Sequence, residues 1–145
     1  MYTITNKTED FIKCVDEQAF KKLYCNNNLR QRGTVTSVQK LLYIETEETI
    51  PGFPDVMELT TFMGRTDVKF YEFKISDSRG NIHFQPTQPP FYRNNRELSI
   101  KVIAYNRKSQ RVHIFSVDEI SNKESHYYTK NCRINLSSVE KEIGV

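Results

Sequence analysis

The chain is short of cysteine and long apolar runs, and it has no interdomain linker. Its three cysteines, Cys14, Cys25 and Cys132, are widely and irregularly spaced. An odd set of that kind supports neither a disulfide framework nor a zinc site, so reduced structural thiols are expected. The longest apolar stretches, such as Val102-Ile103-Ala104-Tyr105, are far too short to span a bilayer. The start, Met1-Tyr2-Thr3-Ile4-Thr5-Asn6-Lys7, lacks the basic-then-apolar layout of a signal peptide. A membrane protein and a secreted one are both disfavoured, and a cytoplasmic location is expected. With five glycines and five prolines, no Gly/Ser/Pro-rich linker divides the 145 residues, and no repeat is visible. One domain over 1–145 is expected.

Lysine and arginine number 21 against 18 acids, for a net charge of +3. That balance permits nucleic-acid binding without demanding it. Aromatic residues at 12% can close a core in a chain this polar.

Hydropathy patterning gives the element order. Thr8-Glu9-Asp10 can open a helix carrying Phe11, Ile12, Val15, Ala19, Phe20 and Leu23 at helical spacing, with a stop at Asn26-Asn27-Asn28. This makes 1–35 an N-terminal helical segment, closed by a loop at Arg30-Gln31-Arg32-Gly33. Leu41 to Ile44 has strand character. After turn signals at Ile50-Pro51-Gly52-Phe53-Pro54 come strands at Val56–Phe62 and Val68–Ile75, joined by a loop over Met63–Asp67. A turn at Asp77–Asn81 and a short helix from Pro86 to Asn95 precede strands at Leu98–Tyr105 and Val112–Val117. Helix, three strands, helix, two strands predicts an α/β fold, a central mixed β-sheet flanked by helices. The 120–145 stretch is a C-terminal extension without a functional reading; an added β-hairpin, a dimer contact or a partner surface would each suit it.

The informative segment runs from Glu45 to Tyr92. Asp55 precedes one strand, and Glu72-Phe73-Lys74 lies on the next. Strand side chains alternate faces, so Glu72 and Lys74 share one face and Phe73 takes the other. A hairpin can set Asp55 beside Glu72. Two carboxylates are hard donors suited to Mg²⁺ or Mn²⁺. Such an ion neutralises phosphate charge and activates water, while a neighbouring ammonium stabilises the charge that builds up. Lys74 as a plain salt-bridge partner is the other remedy for two adjacent acids. Arg93, Arg96, Lys101, Arg107, Lys108 and Arg111 make the second half basic, which reads either as a solvated surface or as contacts to a phosphate backbone. Phe91 and Tyr92 beside Arg93 are candidates for stacking on an unpaired base, and His83 for a phosphate contact.

Pro54-Asp55 followed by Glu72-Phe73-Lys74 resembles the signature of the PD-(D/E)xK nuclease superfamily. Tyr43-Ile44-Glu45, the Pro51–Val56 turn and Phe84-Gln85-Pro86-Thr87-Gln88 extend the resemblance to its small, phage-type and VRR-Nuc-like branch, with a motif core over 43–115. Gln88 and Tyr92 are similar to the Gln-x-x-x-Tyr helix motif of nucleases resembling the RecB nuclease domain. The resemblance implies a restriction-endonuclease-like core and a metal-dependent endonuclease acting on DNA, with RNA open as a substrate. It implies Mg²⁺ or Mn²⁺ held by Asp55, Glu72 and the Phe73 carbonyl. Glu45 would be a further acid, in competition with Glu47, Glu48 and Glu17. Lys74 would position or activate the water, Gln88 would orient the site, and Tyr92 would support it. Arg93 and Arg96 would hold the nucleic acid. A homodimer acting on branched or flapped DNA in the cytoplasm, the host's for a phage-encoded enzyme, follows by the same analogy. The contrasting expectation is a non-catalytic module that keeps the nuclease fold and binds nucleic acid or a host protein.

Overall fold

The computed structural model describes residues 2–29, 39–45, 52–118 and 132–145. Its elements are β1 (Thr3–Ile4), α1 (Glu17–Tyr24), β2 (Gln39–Glu45), β3 (Val56–Phe62), β4 (Arg65–Ile75), β5 (Asn81–His83), α2 (Gln88–Asn94), β6 (Ile100–Asn106), β7 (Arg111–Ser116), β8 (Arg133–Asn135) and α3 (Leu136–Ile143). Six strands form one sheet in the order β1-β7-β6-β4-β3-β2, and β5 pairs with β8 in a second. The large sheet is mixed: β4 and β6 run parallel, and its other neighbours are antiparallel. The chain is therefore α/β, as the element order predicts. No helix among the described residues is long and apolar enough to cross a membrane.

Both faces of the sheet are covered. Phe70, Val102, Ala104 and Phe115 face Tyr92, Ile82, Phe84, Leu136 and Val139, and so lie under α2, β5, β8 and α3. Val56, Tyr71, Phe73, Ile103 and Tyr105 face Phe11, Phe20 and Tyr24, on the α1 side. The central strand β6 is buried on both faces, which is why its apolar run is almost unbroken.

The first helix is shorter than expected. It starts at Glu17, because the Asp16 side chain caps it by accepting the Ala19 N–H at 2.8 Å. Thr8 instead closes a turn, taking the Asp10 N–H at 3.2 Å. Phe11 and Cys14 reach the core from this turn, while Ile12 and Val15 stay 46% and 81% exposed. The asparagine run does not stop the helix. Cys25–Leu29 continues it as a π-helical turn, with the Asn28 amide donating to the Tyr24 carbonyl at 3.2 Å. The expected loop at 63–67 is a two-residue turn at Met63-Gly64, with φ of 50° and 77°, so β4 starts at Arg65. The short helix starts at Gln88 rather than Pro86, with prolines in its first turn, where no donor is needed. The described part of the C-terminal stretch forms β8 and α3. The Asn135 side chain caps α3 through the Ser138 N–H at 2.8 Å, and left-handed Gly144 ends it. The expected Arg30–Gly33 loop, Glu47, Glu48, the Ile50-Pro51 part of the turn and residues 119–131 lie outside the described residues.

Candidate active site

The site forms where β3 and β4 part. β3 begins at Val56, opposite Tyr71, whereas β4 runs on to Ile75. Over residues 72–75 β4 is paired only with β6 on its other side. The Phe70 N–H donates to Ser99 and the Ser76 N–H to Tyr105, so the even-numbered amides of this stretch point towards β6. The odd-numbered ones point to the edge that β3 has left. An exposed ladder edge needs other partners. Asp55, just before β3, supplies one: its Oδ2 accepts the Phe73 N–H at 3.0 Å. Its other oxygen has no hydrogen bond among the described residues. Glu17, at the first position of α1, lines the cleft with Asp55 and Ile75 and lies within electrostatic reach of both Asp55 and Lys74. Strand parity turns the Phe73 carbonyl to this same edge. The Phe73 ring lies on the α1 face, 5.8 Å from Phe20 and from Tyr24.

Glu72 and Lys74 project from the opposite face, towards α2. Gln88 opens that helix and links them. Its Oε1 accepts the Lys74 ammonium at 3.0 Å and the Gln85 N–H at 2.8 Å. Two donors on one atom fix which end of the amide is oxygen, so its Nε2 faces Glu72 and donates to Oε1 at 2.5 Å. The Lys74 ammonium stands 3.7 Å from Glu72 and 5.0 Å from the centre of the Phe84 ring. All three polar side chains are buried.

Glu72 is poorly matched to this setting. Burial, and then the charge of Asp55, push its pKa up to about 8, against the downward pull of Lys74 and Gln88. Among the described residues its Oε2 is buried with no hydrogen-bond partner, and so is the Tyr92 hydroxyl. Burial, and then the charges of Glu72 and Asp55, hold the Tyr92 phenol well above its usual pKa. A structural ion pair gains most when every lone pair is satisfied. Here one carboxylate oxygen is left over, beside a second carboxylate.

A cleft of about 460 Å³ opens at this edge, lined by Asp16, Glu17, Gln18, Lys21, Asp55 and Ile75. Among the described residues no three His, Cys, Asp or Glu side chains converge as a ready cation cage. The donors present are the Asp55 carboxylate, the unpartnered Glu72 oxygen and the Phe73 carbonyl. All are hard oxygens, which suits an ion that keeps several waters.

The structure thus brings Asp55, Phe73, Glu72, Lys74 and Gln88 together. Tyr92 lies beneath them at 1% exposure, so its ring offers no face to a base, contrary to the stacking expectation. Arg93 is half-buried at the end of α2 and Arg96 is exposed just beyond it; neither has a hydrogen bond or ion pair among the described residues. Glu45 is described by its backbone alone, as the partner of Val56 at the end of β2. Glu17, one of the rival acids, lines the cleft at this edge. The basic second half is partly engaged within the fold: Arg111 donates to the Thr5 carbonyl at 3.0 Å, and Arg107 to that of Val15 at 3.1 Å. His83 is exposed, 3.7 Å from Asp77. Lys21 has no place in the expected site, although its i,i+4 spacing from Glu17 is visible in the sequence.

Compared with protein-family models, curated proteins and solved structures, the chain matches none.

Proposed function

We propose that this chain is a divalent-metal-dependent endonuclease of the PD-(D/E)xK type, built on a restriction-endonuclease-like core and hydrolysing phosphodiester bonds. The element order supports the core: α1, the antiparallel run β2-β3-β4, α2, then β6 parallel to β4. The observation that carries the reading is the buried, half-satisfied Glu72 beside Asp55 and Lys74. Two acids within electrostatic reach of each other, one of them with a free buried oxygen, form a site that a cation would complete.

Asp55, Glu72 and the Phe73 carbonyl would hold Mg²⁺ or Mn²⁺, which when bound supplies charge neutralisation and a more acidic water. Lys74 donates hydrogen bonds from a fixed point. Its ammonium can orient an incoming water or hold a phosphate oxygen as negative charge develops there. Gln88 holds the Lys74 ammonium and the Glu72 carboxylate at once, and so sets their mutual geometry. The Phe84 ring and α2 shield the pair from bulk water, which strengthens each of these interactions. The expected substrate is DNA, with branched or flapped forms and a homodimer as the specific expectations; RNA shares the chemistry.

The test is a cleavage assay with Mn²⁺ and with EDTA. It uses supercoiled plasmid, single strand, flap, four-way junction and RNA. The wild type should cut at least one of these, only with the metal. Asp55→Asn and Lys74→Met should fold and lose at least about a hundredfold in rate, the scale of one lost charge-stabilising group. Undiminished cutting by Asp55→Asn would refute the site. No cutting of any substrate by a folded wild type would leave a binding module on the same fold.

A further inference from the structure

Lys21 is 8% exposed and lines the cleft at the strand edge, one turn after Glu17 on α1. It makes no hydrogen bond or ion pair among the described residues, although Asp16, Glu17 and Asp55 line the same cleft. The burial belongs to its aliphatic stem, and the ammonium keeps contact with solvent. A hydrated cation with no protein partner among the described residues is free to take an anion from outside. The three acids of the wall repel a diffuse anion, so the ligand must be one that other contacts also hold.

We propose that Lys21 binds a non-bridging phosphate oxygen of a nucleic-acid strand lying in this cleft, as a substrate-positioning residue. The substrate class rests on the nuclease reading; the unpaired cation does not. In this arrangement Asp55 and Lys21 share the cleft with opposite tasks. The carboxylate belongs to the cation site, and the ammonium draws the phosphodiester backbone across it. Every nucleotide presents such a phosphate, so the contact adds affinity without reading sequence.

The experiment measures binding of a fluorescent single-stranded oligodeoxynucleotide, and of its duplex, by anisotropy across a salt series, in Ca²⁺ and in EDTA. Wild type, Lys21→Met and Lys21→Arg are compared, with thermal melts of each. Lys21→Met should weaken binding roughly tenfold, as the loss of one charged hydrogen bond does. It should also flatten the plot of log affinity against log salt by about 0.7 for the single strand or about 0.9 for the duplex, the share of one phosphate contact. Lys21→Arg should restore both. Lys21→Met should melt no lower than wild type, since the ammonium makes no bond among the described residues and Met keeps the apolar stem. Unchanged affinity and slope in Lys21→Met, or no binding by wild type, would overturn the proposal. A lower melt with unchanged binding would instead show Lys21 to be a structural partner of the cleft acids. The two readings separate cleanly. Lys21-dependent binding without metal-dependent cutting keeps the phosphate site and removes the hydrolytic one. Cutting with an unchanged KM in Lys21→Met does the reverse.

Discussion

Glu72 is the residue on which the site's energetics turn. Its carboxyl group ionises near 4.5 in an unfolded chain and near 8 in the folded one. Between those values the folded state holds a proton that the unfolded state has released. Stability therefore falls as pH rises through that window and levels off above it. Glu72→Gln keeps the shape and removes the titration. In metal-free buffer, the melting temperature of Glu72→Gln relative to wild type should climb steadily from pH 5 to pH 8.5. Parallel melting curves for the two proteins would show that Glu72 is not strained in this way. Gln88 belongs to the same account: with one amide it satisfies an ammonium, a carboxylate oxygen and a backbone donor.

At the scale of elements, α2 must sit close enough for Gln88 to reach across to β4. Gly52 sets that distance. Its φ is +89°, and a Cβ built there would lie 2.7 Å from both the Phe91 Cβ and the Thr87 carbonyl oxygen. Gly52→Ala should cost about 1–3 kcal/mol from the left-handed backbone alone. It should also lower the cleavage rate by pushing the start of α2 away from Glu72 and Lys74. Denaturant titration and single-turnover rates measure the two effects; wild-type values for both would mean that the close approach does not position α2. Much of this arrangement is legible in the sequence. β3 begins and ends where the apolar pattern and the Pro-Asp turn put it. The acid-x-Lys strand and the glutamine-led helix meet because a parallel crossover returns the chain beside β4. Glu17 and Lys21 are harder to read. A helix begun at Thr8 puts them mid-element, whereas the Asp16 cap makes Glu17 the first residue of a helix aimed at the strand edge. β1, β5 and β8 have two or three residues each, too few for a periodic signal, and form only against distant partners. α3 was legible in principle, from its Asn135 cap and the spacing of Leu136, Val139 and Ile143.

Across the whole molecule, the candidate site and the remaining polar core are separate. α3 is fixed to the β6–β7 hairpin by Glu140, whose Oε2 accepts from Asn106, from Ser109 at 2.8 Å and from His113 Nε2 at 3.0 Å. Burial lowers the His113 pKa, and the Tyr2 hydroxyl meets its Nδ1 at 2.8 Å, so a neutral ring joins β1 and α3 to the sheet. None of these bonds reaches Glu72, Lys74 or Gln88. The C-terminal helix therefore reads as a fold-closing element, and the candidate site as a property of β3, β4 and the two helices that flank them. The central claim is that Asp55 and Glu72 hold a divalent cation, and proton release tests it most directly. Calorimetric titration with Mn²⁺ at pH 7, repeated in buffers of different ionisation heat, counts the protons displaced. A carboxyl group with a pKa of about 8 is mostly protonated there and must give up its proton to the metal. Wild type should bind Mn²⁺ and release close to one proton per ion, on the order of 0.9 from that ionisation. Glu72→Gln should release almost none, and Asp55→Asn should bind far more weakly. Absence of Mn²⁺ binding in wild type, or the same proton count in Glu72→Gln, would contradict the account.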